Sequence, residues 1–139
     1  LERLDELKLA SNGLQSLRFL NKLSNTVSKP VLPRLATLDL ANNGLTEIQL
    51  QEIPKLTRVA ELDLSGNQLR HFPHQLMAKL PAIEILDLSK NQLETVENLE
   101  ELKHAPSLRE LFLHGNPGNL QLRQSDDAQS DDNPLEELL

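Results

Sequence analysis

Residues 61–69 read ELDLSGNQL, with the carboxylate of Asp63 set between Leu62 and Leu64. Paired carboxylates perform general acid–base chemistry when their surroundings drive their pKa values apart, and the chain carries 21 acidic side chains. Its four histidines, His71, His74, His104 and His114, are further candidates as bases or metal ligands. None of these residues falls into a catalytic pattern. His71-x-x-His74 supplies two ligands without the third that a metal centre needs, and spacing identifies no serine that pairs with a histidine as nucleophile and base. The five glycines make no phosphate-binding loop. There is no cysteine, which excludes disulfides, thiolate metal sites and a cysteine nucleophile. The expectation is a non-catalytic chain with no cofactor and no metal. The elements that carry Asp63 must then explain why an acid sits between leucines.

Those elements repeat. LDELKLASNGL starts at Leu4, LATLDLANNGL at Leu35, VAELDLSGNQL at Val59, IEILDLSKNQL at Ile83 and LRELFLHGNPG at Leu108. Each fits L-x-x-L-x-L-x-x-N, with aliphatic variation at the first position only, and the starts are 31, 24, 24 and 25 residues apart. The L-x-L core has a period of two, so each copy is a short strand with leucines on one side. Beyond it the apolar spacing lengthens to three and four residues, as in Leu69, Phe72, Leu76, Leu80 and in Leu93, Val96, Leu99, Leu102, which signals a helical or 3₁₀ return. Pro73 and Pro81 bracket one such return as start and stop signals. Ile53-Pro54 argues against a long helix in another. One coil cannot cover its own leucines, but stacked coils can, and each leucine fully buried contributes about 1.5–3 kcal/mol. The predicted fold is therefore an α/β solenoid. It has a parallel, concave sheet of about five strands with short helical or 3₁₀ returns on the convex side. The asparagines Asn12, Asn43, Asn67, Asn91 and Asn116 fall just past each strand, where their amides can satisfy backbone groups of adjacent coils.

The pattern resembles that of the leucine-rich repeat family over roughly residues 4–120. The short coils, the missing cysteine-bearing caps and the LPxIxxLDLSxNxL phrase look most like its intracellular members. Among these it is nearest the SDS-type class that includes phosphatase-regulator-like and snRNP-subunit-like proteins. The resemblance implies protein–protein recognition through the concave face. Two departures stand out. The first interval is seven residues longer than the second, and its extra material around residues 24–33 is polar with two prolines, expected to bulge from the return side as a loop. After the last copy, where the family normally has a capping segment, an acidic stretch follows.

Composition agrees with this organisation. At 139 residues the chain suits one compact domain, divided here into repeats over residues 1–120 and an acidic tail or incomplete cap over 121–139. With three Phe and neither Tyr nor Trp, the core has to be built from leucine. No apolar run approaches the roughly 20 residues of a membrane span, and no signal peptide is visible. The lack of cysteine and of any Asn-x-Ser/Thr acceptor points to an intracellular setting, cytoplasmic or nuclear. Because the chain opens on Leu1-Glu2-Arg3-Leu4, already in pattern, it reads as a fragment without an N-terminal cap. The net charge of −7 is mostly local: residues 124–139 hold six of the 21 acids and no base, leaving 15 acids against 14 bases elsewhere. A body so nearly neutral is a poor direct ligand for nucleic acid, which calls for clustered Lys and Arg. The tail SDDAQSDDN has the composition of a solvated segment. NPLEELL after it can start a helix at Asn133 and Pro134 and is expected to begin a further repeat or cap.

If the leucines face inward, the residues between them face out. The outward positions are Glu6, Lys8 and Ala10; Thr37, Asp39 and Ala41; Glu61, Asp63 and Ser65; Ile85, Asp87 and Ser89; and Glu110, Phe112 and His114. Six acids face one base there. Such an open sheet offers no dry pocket for acid–base catalysis, but a one-signed surface attracts a complementary partner. Ile85 and Phe112 are large apolar residues ringed by charge, as at an interface centre. The candidate partner-binding residues are thus Glu6, Asp39, Glu61, Asp63, Ile85, Asp87, Glu110, Phe112 and His114. The expected partner is a protein with a basic helix or peptide, bound by a monomer or within a hetero-complex, with no membrane involved. The alternative is a structural or regulatory segment of a larger polypeptide with no ligand of its own.

Overall fold

The computed structural model describes residues 2–23, 30–72, 76–94 and 105–117. Each L-x-L stretch forms a three-residue strand: β1 Glu6–Lys8, β2 Thr37–Asp39, β3 Glu61–Asp63, β4 Ile85–Asp87 and β5 Glu110–Phe112. The five pair in parallel in chain order, β1-β2-β3-β4-β5. Leu7, Leu38, Leu62, Leu86 and Leu111 stand opposite one another in register, so every repeat advances the coil by one strand.

Parallel neighbours need long crossovers, and the returns supply them with a minimum of regular structure. The first holds a 3₁₀ turn, Arg18–Leu23. The second holds α1, Glu47–Leu50, and the third α2, Leu76–Lys79. One-turn helices are unstable alone. These persist because Leu50, Leu76 and Met77 are buried in the common core. Ile53 is buried before Pro54, where α1 cannot continue, and α2 ends two residues before Pro81. Pro73, and the return expected through Val96, Leu99 and Leu102, lie outside the described residues, as do the whole 121–139 tail and its NPLEELL segment.

The core is one leucine cluster. Leu35, Leu38, Leu40 and Leu45 of the second coil are 0% exposed, and the matching residues of the third and fourth coils, Val59 to Leu69 and Ile83 to Leu93, are 1% exposed or less. In the first coil Leu4, Leu7, Leu9 and Leu14 are only partly buried, because no described coil lies on that side. The insertion differs from expectation. Of its described part, Leu32 is buried and Val31 packs against the core, so this end turns inward instead of bulging out; residues 24–29 lie outside the described set. Burial of Leu32, with Val31 partly buried beside it, offsets the strain of Leu32 at φ 46°.

Four asparagines lace successive coils together. Asn67 Oδ1 accepts the N–H groups of Asn43 (3.1 Å) and Leu45 (2.9 Å), while its Nδ2 donates to the carbonyls of Leu40 and Leu64. Asn43 repeats the arrangement one coil earlier. Asn91 and Asn116, one and two coils later, repeat it with a single N–H on Oδ1, that of Leu69 and of Leu93. Among the described residues no buried side-chain polar atom lacks a partner. Asn12 departs from the set. It is exposed, and among the described residues its Nδ2 reaches only its own coil, at Ala10 O. Just before each asparagine the backbone is left-handed, at Ser11, Asn42, Gly66, Lys90 and Gly115, with φ between 54° and 78°. At Gly66 a Cβ would lie 1.9 Å from Asn42 Oδ1, so a side chain there requires the exposed Asn42 side chain to turn away.

The returns carry their own cross-links. Glu52 Oε2 accepts the Leu17 N–H (2.8 Å) and the Ser16 hydroxyl, its Oε1 meets Arg18 Nε, and its backbone carbonyl accepts from Asn21. Glu47 Oε1 accepts the N–H groups of Arg70 and His71, both at 2.7 Å. Lys79 Nζ donates to Gln51 O. Three adjacent returns are thereby tied by charged groups as well as by leucine. Sequence periodicity carries no signal for these contacts.

Candidate protein-binding face

The parallel register turns the outward residues into two rows that run across the strands. One row is Glu6, Thr37, Glu61, Ile85, Glu110, and the other is Lys8, Asp39, Asp63, Asp87, Phe112. Successive members of a row are separated by the spacing of neighbouring strands, about 4.7–4.9 Å. Glu6, Lys8, Glu61, Glu110 and His114 are exposed, whereas Thr37, Ile85, Asp39, Asp63 and Asp87 are half-buried. Phe112 is 40% exposed, unusual for a ring that could have packed inward.

The third outward position does not behave as expected in two of the five coils. Ala41 is 6% exposed and Ser89 3%, so both are buried. The strands end two residues before, at Asp39 and Asp87, and the chain is already turning towards the asparagine there. The open face is therefore two residues deep at the second and fourth coils, while Ala10 and Ser65 are half-buried and His114 is exposed at the others.

The aspartates have a task that spacing alone did not reveal. Asp63 Oδ1 accepts the Ser65 N–H (2.9 Å) and the Ser65 hydroxyl (2.6 Å). Asp87 does the same with Ser89 at the same distances. Asp39 accepts the Ala41 N–H at 3.0 Å, and its coil has no hydroxyl to add. A carboxylate bonded to the backbone two residues on is a standard way to close a turn. The Asp-x-Ser spacing in LDLS was the signal that could have disclosed it. Only Oδ1 is engaged, and Oδ2 of all three aspartates has no hydrogen-bond partner among the described residues. The acid between leucines thus closes the strand's exit turn with one oxygen and leaves the other without a partner among the described residues.

The cation of the face is already answered: Lys8 Nζ lies 3.3 Å from Glu6 Oε1, both side chains being more than half exposed. Exposed pairs of this kind are worth little. Other cations sit away from the two rows in pairs of their own, Arg34 with Asp5, Arg109 with Glu84 and Arg18 with Glu52. Ile85 and Phe112 are diagonal neighbours instead of members of one row, since Ile85 stands opposite Glu110 and Phe112 opposite Asp87. Large side chains reach one another at that offset, roughly 7–8 Å. The other strongly exposed large apolar residue among those described, Ile48, lies on α1 and not on a strand.

His71 is exposed on the return side, and His74 and His104 lie outside the described residues. No three His, Asp or Glu side chains among the described residues gather as metal ligands would. No described helix is long and apolar enough to cross a membrane. The family model for leucine rich repeat matches residues 33–93 and again residues 57–117, together more than half of the chain. No curated protein matches it.

Proposed function

The chain belongs to the leucine-rich repeat family, and from that premise we propose that it is a non-catalytic recognition module whose strand face binds a partner protein. Repeats of this family generally mediate protein–protein interaction and are typically non-catalytic. The observation that carries the reading is the row Asp39, Asp63, Asp87, Phe112, with Ile85 diagonal to the phenylalanine. Three carboxylates, each with one oxygen that has no partner among the described residues, run up to an exposed aromatic ring. Charge of one sign steers a complementary partner, and a desolvated aromatic is the usual energetic centre of an interface. Glu6, Glu61, Glu110 and His114 rim this centre. The partner is a protein with a basic segment, met inside the cell by a monomer or within a hetero-complex.

A second reading has an observation of its own. Because Oδ1 of each aspartate closes a turn, the acids have a reason to be present with no partner at all. On that reading the repeats are a structural or regulatory segment of a larger protein. Substitution separates the two. Asn keeps the Oδ1 acceptor but loses the charge, so Asp39→Asn/Asp63→Asn/Asp87→Asn together with Phe112→Ala leaves the coil intact. Affinity purification with the parent and this variant should recover a salt-sensitive partner with the parent only. Equal recovery from both, insensitive to salt, would refute recognition by this face.

A further inference from the structure

The spacing of the acidic row selects the shape of what it binds. We infer that the occupant of the strand face is a single α-helix laid across the strands, an inference that rests on reading this face as the recognition surface. Its apolar residue covers Phe112 and Ile85, and basic residues on the same helix face follow about one turn apart over Asp87, Asp63 and Asp39.

The argument is one of pitch. From Phe112 the row meets Asp87, Asp63 and Asp39 one, two and three strands away, at roughly 5, 10 and 14 Å. On a helix, residues 4, 7 and 11 positions beyond an anchor share its face and lie about 6, 10.5 and 16.5 Å along the axis. The largest mismatch, about 2 Å, is within the reach of a lysine or arginine stem. An extended peptide presents same-side residues every 6.6–6.8 Å or so, and by the third step it overshoots Asp39 by about 6 Å. A polyproline II segment repeats about every 9.3 Å, so from Phe112 it would meet Asp63 and then the cation of Lys8, missing Asp87 and Asp39. Only the helix places one charge opposite each acid.

The complementary sign has support within the row itself. The free Oδ2 atoms of all three aspartates have no cation among the described residues. The row's one base, Lys8, stands at the far end from Phe112 and is paired with Glu6.

An 18-residue, end-capped peptide with an Ala/Gln background, one Leu, and Lys 4, 7 and 11 residues beyond it tests this against the full chain by fluorescence anisotropy at low salt. Its control has the same composition with Lys 2, 4 and 6 residues beyond the Leu. The helical-phase peptide should bind at least tenfold tighter than the control. Each of Asp39→Asn, Asp63→Asn and Asp87→Asn should weaken it by about two- to fivefold, as expected for exposed ion pairs, and the triple variant should remove binding. Unchanged circular dichroism and urea midpoint of the Asn variants show that the fold survives. If the control binds as well as the helical-phase peptide, and both still depend on the three aspartates, the helix inference fails while the reading of the face stands. If neither peptide binds, or the triple variant binds both as the parent does, both fall together.

Discussion

Removing the Asn67 side chain should cost the fold more than removing any chemically identical group at its edge. In Asn67→Ala the carbonyls that Nδ2 served are not stranded. Leu40 O still accepts from Asn43 Nδ2, Leu64 O from Asn91 Nδ2, and Ser65 O from the Asn42 N–H. The loss falls on two buried donors, the N–H groups of Asn43 and Leu45, for which Oδ1 is the acceptor. A buried donor left unpaired costs about 1–3 kcal/mol, so the variant should lose roughly 2–6 kcal/mol. That is a large share of the about 5–15 kcal/mol that holds a typical domain together. Asn91→Ala strands one such donor, Leu69 N–H, and should lose about half as much. Asn12→Ala gives up a single exposed bond to Ala10 O and should be nearly neutral. Urea unfolding followed by circular dichroism measures all three. At an m-value of about 1–3 kcal/mol/M, the Asn67 variant should shift its midpoint by roughly 2 M. A lowered m in that variant would show the coils separating before they unfold, as repeat arrays can. Should Asn67→Ala prove no more costly than Asn12→Ala, the account of the asparagine ladder is wrong.

The left-handed positions give a pair of opposite expectations. Gly66→Ala forces a Cβ towards Asn42 Oδ1 and should lower the thermal midpoint by the equivalent of more than about 1 kcal/mol, while Lys90→Gly relieves a left-handed side-chain residue and should raise it by up to about 1 kcal/mol. At the aspartates, Asp63→Asn should leave the urea midpoint within experimental scatter because Oδ1 survives, whereas Asp63→Ala should cost about 1 kcal/mol by opening the turn; equal effects would remove the turn-closing role. Acid stability should report the two return-side glutamates. The Leu17 N–H on Glu52 holds its carboxyl below the ordinary range against the effect of burial. At Glu47 burial pushes upward, but the N–H groups of His71 and Arg70 outweigh it and the pKa is again lowered. Both groups bind protons more readily unfolded, so their stabilisation is complete above about pH 4.5, the unfolded value, and is lost as pH falls through the folded pKa. Urea midpoints from pH 5 to pH 3 should therefore fall less for Glu52→Gln than for the parent; parallel curves would contradict this.

Much of the site was readable because burial leaves a periodic trace. Leu62 and Leu64 flank Asp63 in the chain, and a strand can bury both only by turning the acid outward, so the row through Asp39, Asp63 and Asp87 follows from spacing. The limits are equally specific. Ala41 and Ser89 continue the same alternation yet are buried, since the strand stops two residues earlier, at Asp39 and Asp87, than a period-of-two reading implies. Val31 and Leu32 sit in a polar, proline-marked stretch whose composition reads as a loop. Yet Leu32-Pro33 precedes Leu35 at the spacing by which Leu80-Pro81 precedes Ile83, the one signal that Leu32 joins the core. Glu52 and Glu47 resemble any solvated glutamate until the return 35 residues before one, or 23 after the other, is placed beside it.

From the sequence alone came the parallel coil, its leucine interior, the asparagine after every strand and the sign of the exposed rows, because each is a pattern of apolar and polar residues repeated at fixed intervals and the hydrophobic effect acts on such patterns wherever the chain places them. The tertiary structure decided which oxygen of Asp63 closes a turn and which stays free, which donors depend on Asn67, and that Phe112 and Ile85 meet on a diagonal. Those are matters of direction and distance between atoms 22 or more residues apart along the chain, or of a turn's dihedral angles. Hydrogen bonds depend on both, and hydrophobic periodicity encodes neither.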